Sequence, residues 1–166
     1  MRKAVLIVDM QPVFLDVLEE RALDLTERVK SVVNAAEESR VPVIYVETYV
    51  DRIPINDESF RTLESLGRRK EDMSHVLLKN DKGIRGNLNY LFRDVNRLFL
   101  MGISTGLCFK STLYEVLGYV KEVDISVDTT ADINEPRYSA SISEFRRLAR
   151  VNIHLDYRDM ISQVKT

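Results

Sequence analysis

KAVLIVD, residues 3–9, is the stretch on which the fold turns. Ala4 to Val8 are apolar without a break, and three of them (Val5, Ile7, Val8) are β-branched. A half-buried strand alternates apolar with polar; an unbroken run suits a strand covered on both faces. Working outward, similar runs occur at 41–48 (VPVIYVET), 75–79 (HVLLK), 97–103 (RLFLMGI), 122–128 (EVDISVD) and 151–157 (VNIHLDY), which makes six. Helical periodicity lies between several of them. Residues 22–38 place Leu25, Val29, Val32, Val33 and Ala36 on one stripe, and Phe109, Leu113, Val116, Leu117 and Val120 share a face after Cys108. Alternating strands and helices predict a doubly wound, three-layer α/β/α domain around a six-stranded, mainly parallel sheet. No linker, repeat or low-complexity tract divides the chain, so residues 1–166 read as one domain.

Composition narrows the partners. Lys and Arg total 24 and Asp and Glu 26, a formal net charge of −2, with no long basic block. That balance offers neither a nucleic-acid groove nor a membrane-binding face. A single cysteine excludes an intramolecular disulfide and favours a reducing compartment. The apolar run near the start is too brief for a signal peptide and far too brief to span a bilayer. A soluble, cytoplasmic protein is the expectation.

Ligands of doubly wound sheets bind beyond the carboxyl ends of the strands, where strand order reverses. In the commonest order that crevice opens between the first and fourth strands. Asp9 ends the first, and STGLC (104–108) follows the fourth, so an acid faces the only thiol. Lys79 ends the third strand and is long enough to lean inward. Each has an ordinary reading alone: a turn cap, a solvated lysine, a core cysteine. Their convergence on one rim favours chemistry. Gly106 permits a tight turn that leaves Cys108 in the first turn of a helix. The helix N-terminus and a neighbouring lysine are expected to lower the thiol pKa. Asp9 would then move the proton.

These residues also carry a resemblance. VDMQPVF, LLK, GISTGLCFKSTLYEVLGY and VDTTADI resemble the isochorismatase-like family of cysteine hydrolases, over residues 3 to about 130. The shared pattern is Asp-x-Gln-x-x-Phe, then Lys, then Gly-x-x-Thr-x-x-Cys. The resemblance implies Asp9 as general acid/base, Lys79 as the cation that lowers the thiol pKa and steadies Asp9, and Cys108 as nucleophile. It also implies an oxyanion hole from the amides of Ser104 and Cys108, a cis peptide between Ile103 and Ser104, and a pocket including Gln11, Phe14 and Thr105. Members that keep the cysteine are mostly amidases, so a small-molecule C–N bond is the implied target, and the family's small members are usually dimers or tetramers.

Two features depart from the family. Nicotinamidases carry a metal site of Asp and His after the second strand, whereas this chain has only His75 and His154, neither suitably spaced. No metal and no other cofactor is expected. The segment after Lys79 reads KNDKGIRG, where Lys82 or Arg85 would suit a substrate carboxylate or mark a copy without activity. The polar stretch 50–73 is long for a connection and reads as a lid or subunit contact. Receiver and dehalogenase-type phosphatase readings fail because Met10 and Gln11 stand where a second acid is needed, and there is no Gly-rich phosphate loop. A catalytically inactive small-molecule-binding module on the same fold is the remaining alternative.

Overall fold

A computed structural model describes residues 2–49, 58–68, 76–80, 83–85 and 88–166. Six strands of one sheet run parallel: β1 (Lys3–Val8), β2 (Val43–Thr48), β3 (Val76–Asn80), β5 (Arg97–Ile103), β6 (Glu122–Ala131) and β7 (Val151–His154). A seventh, β4 (Gly83–Arg85), was not anticipated; it pairs antiparallel with β3 at the edge, opposing Asn80 with Gly83. The order is β4-β3-β2-β1-β5-β6-β7, so the chain steps one way from β1 through β3 and the other way from β5 through β7. The crevice expected between the first and fourth predicted strands therefore opens above β1 and β5.

Both faces of the sheet are covered, as the run at 3–9 requires. Ala4, Leu6 and Val8 of β1 join a core with α4 (Lys110–Val116) and α5 (Glu135–Phe145), which supply Leu113, Val116, Ile142 and Phe145. Val5 and Ile7 point into the other layer, against Val29, Val32 and Val33 of α2 (Glu20–Glu38) and Met160 and Val164 of α6 (Tyr157–Lys165). Each of these five β1 side chains has no exposed surface. Burying one such side chain stabilises the fold by roughly 1.5–3 kcal/mol, so the central strand is its most strongly specified element. Two short helices, α1 (Pro12–Leu15) and α3 (Leu88–Phe92), complete the set of α-helices among the described residues.

The boundaries shift for local reasons. The last strand stops at His154, because Asp156 caps α6 by accepting from Arg158 N at 2.8 Å. The predicted strand residues 155–157 thus belong to a turn and a helix start. β6 runs on to Ala131, with a register shift against β5 between Leu100 and Gly102. Arg97, at the start of β5, clasps the buried Asp124 of β6 through two bonds (2.6 and 2.8 Å), and His154 Nε2, at the end of β7, lies 2.7 Å from the same carboxylate. That network holds Asp124 below the usual carboxylate range despite its burial. His154 is thus engaged with Asp124; His75 lies outside the described residues. Among the described residues no helix is long and apolar enough to cross a membrane.

Candidate active site

Gly102 sets the geometry at the carboxyl end of β5. It has φ 122°, and a Cβ there would lie 2.0 Å from the Val8 carbonyl oxygen. Only glycine lets β5 approach β1 this closely. The next peptide, Ile103–Ser104, is cis, as the resemblance implied. Residues Thr105–Phe109 then form a single π-helical turn rather than the ordinary first helical turn expected, and α4 follows. Both Leu107 N–H (3.0 Å) and Phe109 N–H (3.1 Å) donate to the Ser104 carbonyl. The Ser104 amide donates no backbone hydrogen bond among the described residues.

Asp9 follows β1 at φ 52°, in the left-handed region where Asp is better tolerated than most residues. It is 1% exposed. Its Oδ1 accepts from Thr48 N (3.1 Å) and Thr48 Oγ1 (2.9 Å) at the end of β2. Its Oδ2 is buried and has no hydrogen-bond partner among the described residues. Gln11 supports this arrangement: its Oε1 accepts from Thr48 N (2.9 Å), and its Nε2 donates to the carbonyls of Thr48 (3.0 Å) and Phe60.

Lys79 reaches inward from β3, as its length suggested. Its Nζ donates to the Cys108 carbonyl at 2.7 Å and to Thr112 Oγ1 at 3.3 Å. The ammonium thus ties the Cys108 peptide to the third strand. Asp9, Lys79 and Cys108 form one electrostatic cluster, in which the Lys79 charge acts on both Asp9 and Cys108 and the Asp9 charge acts on Cys108.

The resting thiol contradicts the expected thiolate. Burial and the Asp9 carboxylate push Cys108 up to about 11, and Lys79 offsets only part of that rise. Burial also lifts Asp9 above its ordinary range, opposed by the Lys79 charge and by the bonds from Thr48. The helix-terminus argument failed because it left out desolvation and the adjacent anion, which together outweigh a dipole and one cation. At rest Cys108 is a protonated thiol, with the buried Asp9 side chain beside it.

Of the residues expected in the pocket, none lines the groove above Cys108. Thr105 has no exposed surface, and its hydroxyl lies 2.7 Å from Thr130 Oγ1. Gln11 is fully buried behind Thr48. Phe14 packs edge-on against Phe60, centroids 6.3 Å apart, and so anchors residues 58–60. Most of the stretch read as a lid, 50–57 and 69–73, lies outside the described residues, as do Lys82 and the Arg85 side chain. The groove itself, about 700 Å³, is walled by Thr48, Lys79, Asn80, Leu107, Cys108 and Tyr114, among others. Thr48 and Thr112 escaped the sequence reading because a threonine ending a strand or inside a helix carries no signal of its own.

The isochorismatase domain family matches residues 3–154. The chain belongs to this family. Comparison with solved structures agrees on the fold. A cysteine hydrolase of Pseudomonas syringae pv. phaseolicola superposes with a TM-score of 0.77 at 19% identity, over 99% of this chain and 92% of that one. The N-carbamoylsarcosine amidase of Thermoplasma acidophilum gives 0.71 at 20% identity, covering 92% and 95%. The nicotinamidase PncA of Bacillus subtilis gives 0.72 at 18%, covering 92% and 99%. A comparison with curated protein sequences found no match. This isochorismatase-family hydrolase thus shares its fold with proteins named for cleaving amides, at identities that speak to fold alone.

Proposed function

We propose that the protein hydrolyses a C–N bond, amide or carbamoyl, of a small molecule through an acyl-enzyme on Cys108. The supporting observation is Asp9 Oδ2, a buried carboxylate oxygen without a partner, beside the only thiol and a buried lysine. An unsatisfied buried acceptor is costly to keep, and here it stands where a proton must be taken up.

Asp9 removes the Sγ proton as sulfur bonds to the carbonyl carbon, and the carbonyl π pair moves onto oxygen. The amides of Ser104 and Cys108 receive that oxyanion. The oxyanion collapses, the C–N bond breaks, and Asp9 gives its proton to the departing nitrogen. Water then attacks the thioester while Asp9 takes a proton from it; a second oxyanion collapses, the carboxylic or carbamic acid leaves, and the sulfur recovers the proton. Lys79 keeps its positive charge throughout and balances whichever of Asp9 and Cys108 is anionic. A thiol held near pH 11 at rest suits this sequence, because proton transfer accompanies attack rather than preceding it.

The high resting pKa is also the one observation that favours the inactive binding module. A screen of small amides, ureas and carbamoyl compounds separates the two, with intact-mass detection of an acyl adduct on Cys108. An adduct that is absent from Cys108→Ala supports hydrolysis; turnover surviving in that variant sinks it. The reading carries with it a reducing, cytoplasmic setting, which a lone catalytic thiol needs. It also carries self-association, with the polar stretch 50–73 as the candidate contact. Light scattering at micromolar concentration should give a dimer or tetramer mass, and a monomer mass would remove the association.

A further inference from the structure

We propose that Asp132 is the positioning residue of the nucleophile turn, acting through the Gly106 amide to hold the Ser104–Cys108 backbone where an oxyanion is received. The proposal rests on the acyl-transfer reading above. Asp132 directly follows β6 and is 1% exposed. Its Oδ2 accepts from Gly106 N at 2.8 Å, and its Oδ1 accepts from Asn134 N at 2.9 Å. Arg137, from the first turn of α5, donates its Nε to both carboxylate oxygens at 3.1 Å and its Nη2 to Oδ1. The carboxylate therefore cannot rotate without breaking charge-assisted bonds, and these are the stronger class.

The same strand pins the preceding residue. Thr105 Oγ1 meets Thr130 Oγ1 at 2.7 Å, and Gly102 and Ile103 stay in register with Thr130 and Ala131. Two consecutive residues of the turn are thus tied to β6, one by a hydroxyl and one by an amide. Gly106 also has no room to move outward, since a Cβ there would lie 2.3 Å from Arg137 Cγ. With the amides of Gly106, Leu107 and Phe109 bonded to Asp132 and the Ser104 carbonyl, their orientation is fixed before any substrate arrives. Oxyanion stabilisation depends on donors that need not reorganise, and one misplaced donor costs about 10²–10³ in rate. Asp132 remains ionised down to a pKa of about 2, so the clamp is intact at any working pH.

Two reagents separate positioning from general structure. Acetylation of Cys108 by p-nitrophenyl acetate passes through an oxyanion; alkylation by iodoacetamide displaces iodide at a saturated carbon and does not. In Asp132→Ala, acetylation should fall by about 10² while alkylation stays within about threefold at every pH tested. Asp132→Asn keeps an acceptor for Gly106 N–H and should recover most of the acetylation rate. Should Asp132→Ala fail to fold, Arg137→Ala frees the carboxylate and should show the same split at smaller size, roughly threefold to tenfold. Equal loss of both reactions, or loss of neither, overturns the positioning role. A wild-type Cys108 that alkylates but never acetylates overturns the acyl-transfer reading itself, and this proposal with it.

Discussion

Neutralising Asp9 and neutralising Lys79 should move the Cys108 thiol in opposite directions. In the native site the thiol stands at about 11, against 9.0 for an unperturbed one. Two pH units mean about a hundredfold less thiolate near neutrality, so native Cys108 should alkylate about a hundredfold more slowly than the unfolded chain. Burial is the largest cause, and the Asp9 carboxylate adds to it. Asp9→Asn removes the anion but leaves the burial, so the alkylation midpoint should fall by roughly one pH unit or more. Lys79→Ala removes the only opposing charge and should raise the midpoint by a similar amount. Turnover should not follow thiolate content. Asp9→Asn makes the thiolate easier to form yet should lose about 10²–10⁴ in rate, because nothing then carries the proton. The assay is iodoacetamide labelling followed by intact mass between pH 6 and 11, with denatured protein as the reference. A native midpoint at or below that of the denatured chain would refute the protonated resting thiol. Shifts of the same sign in the two variants would refute the electrostatic account of the cluster.

Gly102→Ala should destabilise the fold by upwards of about 3 kcal/mol, read by urea denaturation, because the new methyl would meet the Val8 carbonyl and force β1 from β5. Acid should weaken the protein in a defined window. Asp132 is held at about 2 in the folded state against 3.8 unfolded, so its contribution is complete above pH 4 and is lost as pH falls towards 2. The stability of Asp132→Asn should accordingly vary less over that interval than wild type. Hydrolysis, once a substrate is found, should survive exhaustive chelation; loss with EDTA and recovery with zinc would restore a metal to the mechanism.

Much of the architecture was legible because one physical demand fixes it. A run such as Ala4–Val8 can be buried only between two helical layers, and strands of that kind have few ways to assemble. The six long strands, the reversal above β1 and β5, and the meeting of Asp9, Lys79 and Cys108 all follow from that demand and from chain order. The short edge strand β4 was not legible: three residues, Gly83–Arg85, carry no periodicity, and their pairing with β3 is a tertiary outcome. The resemblance implied Thr105 in the pocket, whereas the fold buries it with its hydroxyl 2.7 Å from Thr130 Oγ1, a tertiary contact that no local pattern announces.

The charge state of the thiol lies deeper still. Sequence supplies the signs of the partners, a lysine, an aspartate and a helix start, and those signs sum towards a thiolate only if water is present to solvate it. Here Asp9 is 1% exposed and Lys79 5%. Desolvation penalises every charged form, and a second anion beside the first is the least tolerable state of the three groups. One proton therefore stays between carboxylate and sulfur, with Lys79 balancing the remaining negative charge. With that proton on sulfur, Asp9 is free to serve as the base that the proposed acyl transfer requires. The same burial that suppresses the free thiolate strengthens the field that must stabilise an oxyanion when substrate enters. On the proposed mechanism, such a site should be slow towards alkylating reagents and should react with a carbonyl seated in the turn that Asp132 holds.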